Sequence, residues 1–124
     1  MAAVSILVVD DNAQNLYLAR YLLEQKGYTV SEARNGEDAV AVNQAEKPVL
    51  ILMDIQMPGM DGLEATRCIK NQASAPCVVA LTARAMSGDR ERILAAGCDG
   101  YIEKPIDPEN FVGKVEGYLL ETRL

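Results

Sequence analysis

The stretch VSILVVDD, residues 4–11, decides the fold class, because a run of strand-forming residues ends abruptly in two aspartates. Four more strand-like runs follow, at YTVSEA (28–33), VLILM (49–53), CVVAL (77–81) and GYIE (100–103). The first, third and fourth runs are almost continuously apolar, which is typical of parallel strands covered by helices on both faces. The sequence therefore predicts a buried parallel sheet of five strands.

Segments of helical periodicity separate these runs. Their apolar positions recur every three or four residues, at Leu16, Ala19 and Leu23, at Ile93, Leu94 and Gly97, and at Phe111, Val112, Val115 and Leu119. Gly27 and Gly97 stand where helices end, and Asp107-Pro108 stands where a helix starts. The alternation predicts an α/β fold, a (βα)5 doubly wound parallel sheet with the flavodoxin-like strand order 2-1-3-4-5.

Length and composition limit the classes of protein that fit. With 124 residues, 49% of them hydrophobic and 24% charged, the chain is expected to form a single globular domain over 1–124 without an output domain. No apolar stretch approaches the ~20 residues of a membrane span. Asp10 follows too soon after the start for a signal peptide, so a cytoplasmic protein without membrane contact is expected. The net charge of −6 argues against a nucleic-acid partner.

The chain contains no histidine, which excludes Ser/His/Asp and Cys/His catalysis and histidine metal ligands. Its three cysteines, Cys68, Cys77 and Cys98, form no CxxC pair and are interpreted as reduced packing residues. Chemistry in this protein must therefore use carboxylates, hydroxyls, lysine and the backbone.

Three carboxylates are expected at one edge of the sheet. Asp10 and Asp11 follow the first strand and Asp54 follows the third, and in the predicted order these two strands are neighbours. Hard oxygen ligands without imidazole or thiolate favour Mg²⁺, with Mn²⁺ as the other choice. The alternative is that Asp11 or Asn12 only caps a helix and Asp54 only opens a turn.

A hydroxyl and a positive charge are expected at the same edge, from Thr82 after the fourth strand and Lys104 after the fifth. A phosphoryl group on Asp54 needs such partners, and the small Ala83 leaves its approach open. The sequence has neither GxxxxGK[ST] nor GxGxxG, and the loop DDNAQN is acidic, so nucleotide and flavin binding are disfavoured. These residues together predict a phosphoryl site.

The segments LVVDDN, LILMDIQMPGMDGLEATR, ALTARAM and GYIEKPI closely resemble the receiver domain of two-component response regulators. The likeness extends from Ile6 to about Leu119. It implies that Asp54 is the phosphoacceptor and that Asp10 and Asp11 position Mg²⁺ together with the backbone carbonyl of Gln56.

The same resemblance implies roles for residues around the phosphoacceptor. Thr82 resembles the switch hydroxyl, Lys104 the phosphate partner and Tyr101 the switch aromatic, although Tyr101 has the alternative of a core position. A cis peptide bond between Lys104 and Pro105 is also implied. Gln56 and Arg84 match positions that border the path of the attacking water, and Arg84 has the alternative of a solvated surface cation.

The expected function is that of a phosphorelay receiver, which accepts a phosphoryl group from a partner phosphohistidine onto Asp54 and signals by a conformational change. Such a domain catalyses its own phosphorylation and dephosphorylation and is not an enzyme with an external substrate. The sequence resembles stand-alone DivK-like receivers and the receivers of hybrid histidine kinases, and Met1, close to the first core position, favours a stand-alone protein.

Two other classes remain as alternatives. A small Mg²⁺-dependent aspartyl phosphatase would carry an acid two residues after its nucleophile, where this chain has Asn12 after Asp10 and Gln56 after Asp54. A degenerate receiver would bind partners without phosphorylation, but the complete set of site residues argues against it.

Two partner surfaces are predicted. The first, for a histidine kinase or histidine phosphotransfer protein, consists of Asn15, Leu16, Leu18, Pro105 and Ile106. The second, for a downstream protein, is formed by the fourth helix (about 87–96), the fifth strand and the fifth helix (about 108–120). Its candidate residues are Met86, Tyr101 and Ile106.

Overall fold

The computed structural model describes residues 4–57, 60–72, 75–83 and 89–122. Strands and helices alternate as β1 (Ser5–Val9), α1 (Ala13–Gln25), β2 (Thr29–Ala33), α2 (Gly36–Glu46), β3 (Leu50–Asp54), α3 (Gly62–Lys70), β4 (Cys77–Thr82), α4 (Asp89–Ala95), β5 (Gly100–Glu103) and α5 (Phe111–Thr122). All strand pairs are parallel and the sheet order is β2-β1-β3-β4-β5, which confirms the predicted topology.

The helices cover both faces of the sheet, and each face has its own hydrophobic core. Ile6 and Val8 of β1 point into the core beneath α1 and α5, whereas Leu7 and Val9 point into the core beneath α2, α3 and α4. Successive side chains of a strand alternate between the two faces, and in β1 both faces are buried. This double burial explains the continuous apolar runs in the sequence.

The helix ends follow local capping chemistry. The Asn12 side chain caps α1 by accepting hydrogen bonds from the backbone N–H groups of Gln14 (2.9 Å) and Asn15 (3.0 Å). Gly27 and Gly97, which follow the ends of α1 and α4, have positive φ angles of 91° and 104°, as predicted for glycines at helix ends. Of the helices in the described ranges, none has the length and apolar character needed to cross a membrane.

One expectation about the helices was wrong: Leu94 does not face the core, since it is 48% exposed while its neighbour Ile93 is fully buried. Asp107 caps the fifth helix as predicted, because its side chain accepts a hydrogen bond from the N–H of Glu109 (3.0 Å) and its carbonyl accepts from the N–H of Phe111 (2.8 Å). The regular helix starts at Phe111, a few residues later than the expected start at about 108, because residues 108–110 form a tighter turn in which the N–H of Asn110 also bonds to the Asp107 carbonyl (3.1 Å).

Candidate functional site

The carboxyl ends of β1 and β3 bring two buried aspartates together. Asp10 follows β1 and is 1% exposed, and its backbone N–H donates to the carbonyl of Ala33 at 3.1 Å. Its carboxylate accepts from the N–H of Asn12 (Oδ1, 2.9 Å) and from the side-chain amide of Asn15 (Oδ2, 3.3 Å). These bonds fix the orientation of Asp10 from the start of α1.

Asp54 is the last residue of β3 and is 2% exposed. Its Oδ1 accepts a hydrogen bond from the backbone N–H of Gln56 at 3.0 Å. Behind it, Gly62 begins α3 so close to the chain that a Cβ there would overlap the carbonyl oxygen of Asp54 and the backbone of Ile55. The glycine therefore allows the helix to start directly against the phosphoacceptor candidate.

Lys104 directly follows the edge strand β5, and its side chain extends to both Asp10 and Asp54. Its backbone N–H donates to the carbonyl of Thr82 at 2.7 Å, which ties the loop after β5 to the end of β4. Its Nζ lies 3.0 Å from Oδ2 of Asp10 and 3.3 Å from Oδ1 of Asp54. The peptide bond that follows, between Lys104 and Pro105, is cis, as the family resemblance implied.

Burial and charge oppose each other at Asp54. The pKa of Asp54 is raised overall from 3.8 to about 6, and desolvation by burial is the largest cause. The hydrogen bond from the Gln56 N–H lowers the pKa, the negative charge of Asp10 raises it, and the charge and hydrogen bond of Lys104 lower it. For Lys104, burial lowers the pKa, but its hydrogen bonds and ion pairs with Asp10 and Asp54 outweigh this effect and raise it. Lys104 thus remains a cation between two carboxylates.

The arrangement fits a divalent cation. One carboxylate oxygen from each of Asp10, Asp11 and Asp54 lies within 4.8 Å of the others, and Asp11 is exposed while its two neighbours are buried. Carboxylate oxygens at this spacing are suited to Mg²⁺, which keeps part of its water shell when only one or two carboxylates bind it.

The switch candidates occupy different positions around this cluster. Thr82 ends β4, lies beside Glu103 in the strand register and is 1% exposed. Tyr101 of β5 is half-buried against the core beneath α2, α3 and α4, and the guanidinium carbon of Arg90 lies 6.0 Å from the centroid of its ring. Arg84 and Met86 lie outside the described residues.

The predicted docking residues only partly reach the surface. Leu16 and Ile106 were predicted to lie on this surface, but both are buried. They are 3% and 7% exposed and belong to the core beneath α1 and α5. Leu18 is half-buried against the same core, Asn15 is half-buried with its amide on Asp10, and Pro105 is exposed. A docking surface at this edge can therefore use only parts of the predicted set.

Sequence reasoning missed two contacts at the site and its surroundings. The amide of Asn15 holds Asp10, and the position of Asn15 in the first turn of α1, shortly after the acidic pair, is the signal that could have revealed this contact. The hydroxyl of Tyr118 on α5 contacts the backbone of Tyr101. Tyr118 follows the apolar periodicity of α5, seven residues after Phe111, but that periodicity does not indicate a contact with Tyr101.

Comparison with known proteins assigns the class. The family described as response regulator receiver domain matches residues 6–116, so the chain belongs to the receiver domains of two-component response regulators. Phosphoryl transfer to an aspartate is the general function of this family.

Among its relatives is the polar-differentiation response regulator DivK of Brucella anthropi, which is 43% identical over 117 residues, covering 93% of this chain and 95% of the relative.

Solved structures agree with this assignment. A CheY-like receiver domain protein from Methanospirillum hungatei has a TM-score of 0.90 at 30% identity, with 98% of both chains covered. The receiver domain of a sensor histidine kinase from Pseudomonas aeruginosa has a TM-score of 0.86 at 34% identity, covering 95% of this chain and 98% of that one. The Pseudomonas structure has a magnesium ion coordinated in its active-site cleft.

Proposed function

We propose that Asp54 accepts a phosphoryl group from a phosphohistidine of a histidine kinase or histidine phosphotransfer protein. The observation that carries this proposal is the convergence of Asp54 with Asp10, Asp11 and Lys104 at the carboxyl edge of the sheet. This cluster combines a nucleophilic carboxylate, a set of metal ligands and a cation that balances the charge of a phosphoryl group.

In the transfer, an oxygen of the Asp54 carboxylate attacks phosphorus, and the P–N bond of the donor breaks as the new P–O bond forms. The donor leaves as imidazole after it takes up a proton. Lys104 balances negative charge on the phosphoryl oxygens, and the Thr82 hydroxyl donates a hydrogen bond to one of them. Mg²⁺ held by Asp10, Asp11, Asp54 and the Gln56 carbonyl would supply electrophilic stabilisation of the phosphoryl oxygens.

The same site returns the domain to its starting state. Water attacks phosphorus, the P–O bond of the acyl phosphate breaks, and the Asp54 carboxylate is regenerated with release of phosphate. Gln56, whose N–H is bonded to Asp54, and Arg84 are the residues proposed to tune this hydrolysis. Hydrolysis thus limits the lifetime of the phosphorylated state, and the domain turns over no external substrate in this step.

We propose that Tyr101 transmits the conformational change that follows phosphorylation of Asp54. Drawing the Thr82 hydroxyl toward the phosphoryl group vacates space beside β4, and the half-buried ring of Tyr101 rotates inward to fill it. This changes the surface of α4, β5 and α5, where a groove of about 850 Å³ is lined by residues including Arg90, Tyr101 and Lys114. A downstream protein would bind there, while the phosphoryl donor docks beside Asn15, Leu18 and Pro105.

Labelling with acetyl phosphate and Mg²⁺ tests the proposal. We expect an adduct about 80 Da heavier on the wild-type protein and none on Asp54→Asn. Asp61→Asn is the matched control, because Asp61 is a neighbouring aspartate whose side chain caps α3, and asparagine preserves that cap. An adduct on Asp54→Asn, or its loss in Asp61→Asn alone, would contradict the assignment.

A further inference from the structure

The hydroxyl of Tyr118 bridges the two polar backbone groups of Tyr101. The N–H of Tyr101 donates to the hydroxyl oxygen at 3.3 Å, and the hydroxyl donates to the carbonyl of Tyr101 at 3.2 Å. Among the residues that the structure describes, β5 is the edge strand of the sheet, with β4 on one side and no strand on the other. The Tyr118 hydroxyl therefore makes the two backbone hydrogen bonds that a sixth strand would otherwise make to Tyr101.

The residue before Tyr101 makes this arrangement possible. A Cβ at Gly100 would overlap the ring of Tyr118, so the ring fills the volume that a side chain at position 100 would need. The ring also packs against the core beneath α1 and α5, which fixes its direction. Tyr118 is thus held by packing at one end and by the β5 backbone at the other.

The two sides of Tyr101 consequently face different elements. Its ring packs toward the core beneath α2, α3 and α4 with Arg90 above it, whereas its backbone is held from α5. A tyrosine hydroxyl can donate and accept at once, which satisfies both groups of an edge residue with a single side chain.

We propose that Tyr118 is a positioning residue for Tyr101, and that a change at Tyr101 reaches α5 through this hydroxyl. The second half rests on the proposed phosphorylation of Asp54; the first half does not. The bridge joins α5 directly to the backbone of the residue whose ring is proposed to rotate, so any displacement of the β5 backbone that accompanies this rotation displaces the hydroxyl and the helix that carries it. Without the hydroxyl, the two elements would respond separately.

The positioning role is tested by amide hydrogen exchange without any phosphoryl donor. Tyr118→Phe keeps the ring in the core and removes only the hydroxyl, and we expect the Tyr101 amide to exchange about five to ten times faster than in the wild type. Tyr28→Phe is the matched control, since the Tyr28 hydroxyl also donates to α5, at Glu116 (2.7 Å), but Tyr28 directly precedes β2, at the opposite edge of the sheet from β5. An unchanged Tyr101 rate in Tyr118→Phe, or an equal increase in both variants, would overturn the positioning role.

The coupling is tested by recording amide chemical shifts with and without beryllofluoride and Mg²⁺. In the wild type and in Tyr28→Phe, we expect changes at the Asp54 loop, at Tyr101 and along α5. In Tyr118→Phe, we expect the Asp54 and Tyr101 changes to persist and the α5 changes to fall by more than half. Full α5 changes in Tyr118→Phe, or none in a wild type whose Asp54 loop responds, would overturn the coupling. No response at the Asp54 loop would instead count against the proposed function, and the exchange result would still decide the positioning role.

Discussion

At the scale of single residues, Asp54 is a buried carboxylate that the fold holds at an energetic cost. Desolvation and the negative charge of Asp10 disfavour its ionised form, and the Gln56 N–H and Lys104 offset only part of that effect. A cation or a phosphoryl group at such a site changes the local charge and relieves this cost. The raised pKa of Asp54 is therefore consistent with a site that binds ligands.

The first prediction concerns the pH dependence of stability. Because the pKa of Asp54 is raised from 3.8 to about 6 in the fold, the native state keeps its proton to higher pH than the unfolded state does. Without Mg²⁺, the wild type should lose stability as the pH rises from about 4 to about 6, and Asp54→Asn should not lose this contribution. Above pH 6, urea denaturation should show Asp54→Asn more stable, by on the order of 2 kcal/mol.

The control for this prediction is Asp61→Asn, which alters an aspartate outside the buried cluster. Its unfolding free energy should follow the wild-type pH profile. A constant stability difference between Asp54→Asn and the wild type from pH 4 to pH 8 would contradict the proposed cost of ionised Asp54.

At the scale of secondary-structure elements, two glycines in helices have opposite surroundings. Gly62 begins α3 against the backbone of Asp54 and Ile55, where a Cβ would overlap atoms that have little freedom to move. Gly117, within α5, has nothing within 4 Å of the position its Cβ would take. Gly62 is required because α3 starts in close contact with the backbone of Asp54 and Ile55. Gly117 makes no such contact and only lowers the stability of α5.

The second prediction follows from this contrast. Gly62→Ala should lower the free energy of unfolding by about 2 kcal/mol, because the start of α3 must shift away from Asp54. Gly117→Ala should raise it by about 0.5–1 kcal/mol, because alanine has the higher helix propensity and meets no neighbour. Equilibrium denaturation of both variants checks the two signs, and equal effects would show that the close approach of α3 is not needed.

The elements also show how far the sequence predicts the structure. The strands could be located to within about a residue at either end, because β1, β3 and β4 are buried on both faces and read as continuous apolar runs. The cap of α5 at Asp107 was predictable, but its first regular residue, Phe111, was not, because a turn at residues 108–110 lies between them. Periodicity also does not show how deeply a short helix is buried, so Leu94 was assigned to the core although it is exposed.

The same distinction applies to the candidate site. The convergence of Asp10, Asp54 and Lys104 was predictable, because parallel strands place their carboxyl ends at one edge and the strand order makes the first two neighbours. The docking residues were not, since exposure depends on the packing of side chains such as Leu16 and Ile106 against α5. Contacts between distant segments, such as that of Tyr118 with Tyr101, have no local sequence signal.

At the scale of the whole molecule, the two hydrophobic cores lie on the faces of the sheet, and a cluster of carboxylates lies at its carboxyl edge. The chain has a net charge of −6, and three of its carboxylates lie together in the cluster at this edge. Folding brings Asp54 next to the adjacent pair Asp10 and Asp11, whereas in the unfolded chain Asp54 is free to move away from them. A cation that binds the cluster therefore binds only the native state and stabilises the whole domain.

The third prediction is that Mg²⁺ raises the unfolding temperature and that this effect depends on pH. At 100 times its dissociation constant, a ligand specific for the native state contributes about 2.7 kcal/mol. With a pKa of about 6, Asp54 is almost fully ionised at pH 7.5 but only about a tenth ionised at pH 5, and its proton competes with the metal. The apparent Mg²⁺ affinity from thermal shifts should thus be about tenfold weaker at pH 5. Asp61→Asn should behave like the wild type, and an equal affinity at both pH values would show that Asp54 does not take part in binding.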